Sequence, residues 1–142
     1  MASKHSLIIK LLLTAATLIY GVAPAIADLN ETHLLNSHWS GHARLHGAWF
    51  LFFGWAMAML SLYFTWACDE LVLPSVIGLS FVAGFWVAYL PAPLYGGALV
   101  DEHGVETRVL GLESNVFIFS VITTVLLIVL IYAFKTNTKR KF

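Results

Sequence analysis

The stretch NVFIFSVITTVLLIVLIYAF, residues 115–134, contains no charged side chain and is long enough to cross a lipid bilayer as a single helix. The stretch GAWFLFFGWAMAMLSLYFTWA, residues 47–67, has the same character. Two further apolar runs lie at residues 6–27 and 71–91. Each run is close to the ~20 residues that span the roughly 30 Å hydrocarbon core as a helix. The sequence therefore predicts four transmembrane segments.

The composition favours a membrane protein over a soluble domain. Of the 142 residues, 59% are hydrophobic and only 11% are charged, whereas soluble domains carry about 25% charged residues. A backbone in lipid must form its hydrogen bonds within the segment, and the four runs lack the alternation of barrel strands. We therefore predict an all-α fold, in which residues 1–142 form one integral membrane domain built as a four-helix bundle.

Basic residues near the two termini predict the orientation of this bundle. With four spans both termini lie on one side of the membrane, and the positive-inside rule makes that side cytoplasmic. The loops at residues 28–46 and 91–114 then face the periplasm or the outside, and the expected location is an inner or plasma membrane. The basic C-terminal tail is expected to contact lipid head groups and not nucleic acid. The basic residues are Lys4, Lys10, Lys135, Lys139, Arg140 and Lys141.

The first run also has features of a secretory signal peptide. Lys4 and Lys10 accompany the apolar stretch, and Ala25-Ile26-Ala27 resembles a cleavage site. The apolar stretch exceeds the usual 7–15 residues of such a signal, which favours its retention as a helix. Both interpretations of residues 1–27 remain open at this point. His5 is expected to lie in the N-terminal tail.

Polar chemistry is concentrated in the outward loops. A helix that begins at Asn36 or Ser37 would carry His38, His42 and His46 on one face, because residues four apart are neighbours on a helix. Histidine pairs with this spacing chelate transition metals. The sequence therefore predicts a metal site at the start of the second span.

Carboxylate and guanidinium groups near these histidines complete the predicted site. Glu31 or Asp28 would be the fourth ligand or the general base, and Arg44 would hold an anionic group of a substrate or lipid. A site of nitrogen and oxygen ligands suits a divalent zinc, iron, manganese or copper ion. The predicted metal ligands are His33, His42, His46, His38 and Asp28. The residues expected to close the site from the other loop are Asp101, Glu102, His103 and Glu113.

Several functions fit such a site, and the sequence does not decide whether the protein is an enzyme. One is a metal-dependent enzyme that acts on a lipophilic substrate at the outer interface. Another is a non-catalytic accessory subunit that docks onto a larger membrane protein complex, and a third is a haem- or quinone-linked redox protein. The histidines would otherwise only bond to head groups, water or backbone carbonyls. The near absence of ionisable groups within the spans argues against a stand-alone transporter or channel.

The polar segment also carries a resemblance. Asn30-Glu31-Thr32-His33, then Trp39, then His42-Ala43-Arg44-Leu45-His46 resembles an uncharacterised family of small four-helix membrane proteins with an N-x-T-H … W-x-x-H-A-R-x-H signature. The resemblance implies a fold and no activity. His38 lies outside this signature, so it ranks below His33, His42 and His46 as a ligand.

Overall fold

A computed structural model describes residues 5–31, 33–100 and 106–138, and most of this part of the chain is helical. The predicted all-α architecture with four apolar spans is confirmed, because four of the helices are long and apolar enough to cross a membrane. This is the organisation of a multi-pass membrane protein. The elements in chain order are α1 (Leu7–Asp28), α2 (Gly41–Trp66), α3 (Val72–Tyr89), the single turn α4 (Ala92–Tyr95), β1 (Arg108–Val109), β2 (Leu112–Glu113) and α5 (Ser114–Thr138).

The long helices α1, α2, α3 and α5 pack as a bundle in which α1 contacts all three others. One end of this bundle, here called the terminal end, holds the start of α1, the end of α5 and the α2–α3 connection. The opposite end, here called the histidine end, holds the described residues 29–31, 33–40, 90–100 and 106–113. The terminal end also contains His5, whose buried ring lies edge-on to Tyr132 with 6.3 Å between ring centroids. His5 thus precedes α1, in the N-terminal segment as predicted, and its ring packs against the bundle.

Small residues bring the helices close together. A methyl group added at Gly21 of α1 would collide with the Cβ atom of Ala58 on α2. A methyl group at Gly78 of α3 would lie 3.0 Å from the side chain of Leu126 and 3.1 Å from that of Tyr20. Such small surfaces let helix backbones approach, which is how membrane helices gain packing energy where lipid is as apolar as protein. The core that results includes Leu13, Ala16, Leu71, Val82, Ile122, Leu126, Val129 and Ala133.

A small polar layer lies inside this apolar core. The Tyr20 hydroxyl donates a hydrogen bond of 2.9 Å to Ser61 Oγ, which joins α1 to α2. Thr65, one turn away on α2, donates to the Ser61 carbonyl at 2.8 Å. All three side chains are buried. Hydroxyl groups satisfy one another here, as they must where no water is available.

A buried ion pair ties α1 to the α2–α3 connection at the terminal end. The Lys10 ammonium lies 3.1 Å from Asp69 Oδ1, and the side chains of these two residues are 6% and 24% exposed. The same ammonium lies 4.6 Å from the centroid of the Trp66 ring. The Trp66 indole N–H donates to Thr14 Oγ1 at 3.0 Å. Lys10 is therefore part of the packed bundle.

Candidate functional site

The helix that carries the candidate ligands begins later than the sequence predicts. Ser40 is the N-cap of α2, and its Oγ accepts a hydrogen bond of 3.2 Å from the backbone N–H three residues on. Asn36 instead uses its side-chain oxygen to accept from the His38 N–H at 2.9 Å, within the loop. A short polar side chain that bonds its own backbone in this way competes with helix formation. The predicted helix start is therefore wrong, and His38 does not share a helical face with His42 and His46.

His42 and His46 form a close pair in the first turns of α2. Their Nε2 atoms are 3.2 Å apart, and the ring planes are inclined at 70°. Two imidazole nitrogens at this distance either share a hydrogen bond or lie near one metal ion. Two nitrogens bound to a tetrahedral zinc at 2.0–2.1 Å are separated by about 3.3 Å. The pair thus has a separation that suits chelation.

The histidine pair lies on the side of α2 that is turned away from the bundle. At about 100° per residue, His42 and His46 are about 160° and 120° around the helix axis from Ala58, which faces α1. Both histidines are exposed, and so is every other residue of Gly41–His46. The residues of α2 that are buried in the bundle are Leu51, Gly54, Ala58, Ser61 and Thr65.

Asp28 and His33 make a second pair, in and just after the last turn of α1. His33 Nε2 lies 3.8 Å from Asp28 Oδ1, which is longer than a hydrogen bond and suits an ion pair when the imidazole is protonated. The His33 ring also lies edge-on to Trp39, with 6.4 Å between centroids. Glu31 is exposed in the same loop.

Arg44 is directed back toward the loop that precedes α2. Its Nε and Nη2 groups both donate to the Trp39 carbonyl, at 3.3 and 3.2 Å. The guanidinium has five N–H donors, so these two bonds leave further donors for an anionic group. Trp39 in turn lies against the Gly47 position on α2. Arg44 and Trp39 together fix the loop that holds His33 relative to α2.

In the loop between α3 and α5, Glu113 has a different role from the predicted one of closing the metal site. Asp101, Glu102 and His103 lie outside the residues that the structure describes. Glu113 caps α5, since its Oε2 accepts from the backbone N–H groups of Asn115 and Val116 at 2.8 and 3.1 Å. A carboxylate at this position satisfies N–H groups that the first helical turn leaves without partners.

The candidate ligands therefore form two separate pairs. Within residues 5–31, 33–100 and 106–138, no three histidine, cysteine, aspartate or glutamate side chains lie close enough together to hold a metal ion. One pair is His42 with His46, and the other is Asp28 with His33. A complete metal site needs at least one more ligand beside either pair.

A groove that the sequence does not predict lies at the same end of the bundle. It lies between the end of α3 and the segment after α4, and its volume is about 710 Å³. Its walls are mostly apolar, although Tyr95 also donates from its hydroxyl to the Ala88 carbonyl at 2.6 Å. The aromatic residues near Pro91 and Pro93 were the available signal for such a groove. Its lining includes Phe85, Tyr89, Leu90, Pro93, Tyr95 and Leu99.

A polar opening continues this groove along the β-hairpin. An adjoining cavity of about 450 Å³ shares Tyr89 and Leu99 with the groove. It is also lined by Glu106 and Arg108, whose Oε1 and Nη2 atoms form an ion pair of 2.7 Å. The two cavities together offer an apolar floor with a charged margin, which suits an amphiphilic molecule.

Comparison with known protein families gives a match. The model of a family of unknown function, DUF6640, matches residues 12–140. The chain belongs to this family. The predicted membership of an uncharacterised family is thus confirmed, while the signature around Asn30 and His46 stays a prediction. Searches of curated proteins and of solved structures find no match.

Proposed function

We propose that this protein is a multi-pass membrane protein that binds a divalent transition metal at its histidine end. The observation that carries the proposal is the 3.2 Å separation between the Nε2 atoms of His42 and His46. It is close to the separation of about 3.3 Å that two nitrogens adopt on a tetrahedral metal. Zinc, iron, manganese and copper all accept imidazole, so the metal is named here by class.

Asp28 and His33 are the additional ligands that we propose, with His38 in third place. Asp28 is the last residue of α1, and His33 and His38 lie in the loop that follows it. This loop turns sharply, as the hydrogen bond from the Leu34 N–H to the Asp28 carbonyl at 3.0 Å indicates. A loop of this kind changes its conformation at lower cost than a helix does. Movement of the loop toward His42 would bring a carboxylate and a third imidazole to the metal.

The proposed orientation places this end of the bundle outside the cytoplasm. Lys10 and Lys135 both belong to the terminal end, and the sequence adds three more basic residues after α5. An excess of lysine and arginine marks the cytoplasmic side of membrane proteins. The histidine end then faces the periplasm or the outside of an inner or plasma membrane.

In the enzymatic form of this proposal, a lipophilic substrate binds in the groove between the end of α3 and the segment after α4. Its volume of about 710 Å³ lies within the range of small-molecule sites, roughly 300–1,000 Å³, and its apolar lining suits a lipophilic substrate. In this proposal Glu31 acts as general base and Arg44 binds an anionic group of the substrate or a lipid phosphate.

A non-catalytic accessory subunit is the second candidate. It is favoured by the direction of the histidine pair, which is exposed on the face of α2 that is turned away from the chain's own bundle. Residues in such a position are available to another membrane protein, and the histidines would then be interface contacts. This candidate requires no metal in the purified protein.

Metal analysis of the detergent-purified protein separates these candidates. We expect the wild-type protein to contain a transition metal at a fixed stoichiometry, measured by elemental mass spectrometry beside a visible spectrum that reports haem. The variant His42→Ala/His46→Ala should lose this metal. The control Ser37→Ala changes an exposed residue of the preceding loop that is not a proposed ligand, and it should keep the metal.

Two outcomes would contradict the proposal. One is a folded wild-type protein that is free of metal and takes up none from added zinc, manganese, iron or copper. The other is a metal content that the double variant retains. Either result, with co-purification of a membrane protein partner, would favour the accessory subunit.

A further inference from the structure

We infer that His42 and His46 are half of a metal site that the same two residues of a second copy complete. The inference rests on the proposed function, because it assumes that the pair binds a metal, and it names the partner. Its first premise is the number of ligands. A tetrahedral metal in a structural site takes four protein ligands, and one copy supplies two at this position. Nowhere in residues 5–31, 33–100 and 106–138 does a third candidate ligand join the pair.

The direction of the pair is the second premise. Both imidazoles lie on the side of α2 that faces away from Ala58 and from the residues buried against α1 and α3. The other helices of the same chain lie behind this face. A second molecule can therefore reach the pair from the front without displacing any helix of the first.

The exposed face of α2 continues from the histidines along the helix toward its C-terminal end. Its residues follow one another at alternating intervals of four and three, the spacing at which two parallel helices pack along a shared seam. Trp49 and Phe53, the next two members after the pair, are 66% and 51% exposed. All members are exposed in the single chain. They are His42, His46, Trp49, Phe53, Ala56, Leu60 and Tyr63.

Symmetry makes a second copy the partner that fits the number of ligands. Copies of one protein insert into a membrane with the same orientation, so a two-fold axis between them runs along the membrane normal. Two α2 helices that meet across this axis are parallel, and their histidine pairs lie at the same depth. Each copy then contributes two nitrogens, and together they provide the four that a tetrahedral zinc requires.

In this arrangement the imidazoles of the second copy take the ligand positions otherwise proposed for Asp28 and His33, and the metal has a structural role instead of a catalytic one. A site closed by four imidazoles has no open position for water or substrate, whereas catalytic sites keep one. The metal would hold two bundles together at their histidine ends. The groove between the end of α3 and the segment after α4 belongs to other elements and remains open in such a dimer.

The test combines mass and metal content in one sample. The full chain is purified in detergent, stripped with a chelator and titrated with zinc, while light scattering gives the protein mass in the complex. We expect zinc to convert monomers to dimers with one ion for every two chains, and the chelator to reverse the change. The variant His42→Ala/His46→Ala should stay monomeric with zinc, and the control Ser37→Ala, in the exposed loop before α2, should dimerise like the wild type.

Crosslinking checks which face of α2 forms the contact. In a Cys68→Ser background, Ala56→Cys introduces a thiol on the exposed face of α2. Met59→Cys introduces a thiol about 60° around the helix axis from position 56. A short bismaleimide should link two chains through position 56 in zinc and much less after chelation. Position 59 should give little product in either condition.

Each remaining outcome overturns the inference in a distinguishable way. Zinc bound to monomers, one ion per chain, contradicts the dimer and leaves the proposed function intact. A dimer that forms without zinc and survives His42→Ala/His46→Ala contradicts the role of the metal in assembly. Absence of any bound metal contradicts the inference and the proposed function together.

Discussion

A methyl group at Gly21 should weaken the bundle measurably. The Cβ atom of Gly21→Ala would collide with that of Ala58, so α1 and α2 must move apart toward a normal carbon–carbon contact of about 3.5–4.0 Å. Overpacking of this kind costs about 1–3 kcal/mol. The movement also stretches the 2.9 Å hydrogen bond between Tyr20 and Ser61, one turn away. We expect a loss of about 2 kcal/mol in the free energy of unfolding, or about 30-fold in the equilibrium constant.

The assay is unfolding in mixed detergent micelles with increasing dodecyl sulfate, followed by circular dichroism. Two further variants make the result specific. Gly84→Ala is the matched control, because a methyl group there meets nothing within 4 Å, and we expect unchanged or slightly higher stability. The double variant Gly21→Ala/Ala58→Gly moves the methyl group across the interface and should recover at least about 0.5 kcal/mol through coupling of the two sites. If Gly21→Ala is as harmless as Gly84→Ala, the close α1–α2 contact is refuted.

Two further predictions concern α1. Lys10→Met removes the ammonium that pairs with Asp69 and lies over the Trp66 ring, and we expect the free energy of unfolding to fall by about 2 kcal/mol, less than for a fully buried pair because the carboxylate is partly exposed. The variant Lys10→Met/Asp69→Asn should recover most of this loss in the same unfolding assay. Losses that simply add would contradict the pairing. We also expect residues 12–27 to be retained in the mature protein, because α1 contributes Leu13 and Tyr20 to the buried interior and the family match begins at residue 12. Intact-mass spectrometry of protein extracted from membranes measures this. An N-terminus at residue 28 would establish that these residues are a cleaved signal.

The sequence by itself determined the helical spans and their number. An uninterrupted apolar run such as residues 115–134 has one stable form in lipid, because only a helix satisfies its backbone within the segment. The ends of the spans were less well determined. The side chain of Asn36 is as good a helix cap as that of Ser40 by residue type, and only the folded loop shows that Asn36 bonds the His38 N–H instead.

The pairing of His42 with His46 also followed from the sequence, because their spacing alone makes them neighbours on a helix. The direction in which the pair faces did not follow from it. In a soluble helix the polar side reveals which side is buried, whereas α2 is apolar on its core-facing and its outward side alike.

Only the tertiary structure decided which residues meet across the bundle. Lys10 and Asp69 are 59 positions apart, and neither residue type identifies the other as its partner. The contact of Gly21 with Ala58 likewise depends on the rotation of two apolar helices about their axes. Membrane helices choose that rotation by close packing of small residues and by buried polar contacts, since lipid and protein interior are equally apolar. Hydrophobicity therefore determined that these segments are helices, and packing determined how they face one another.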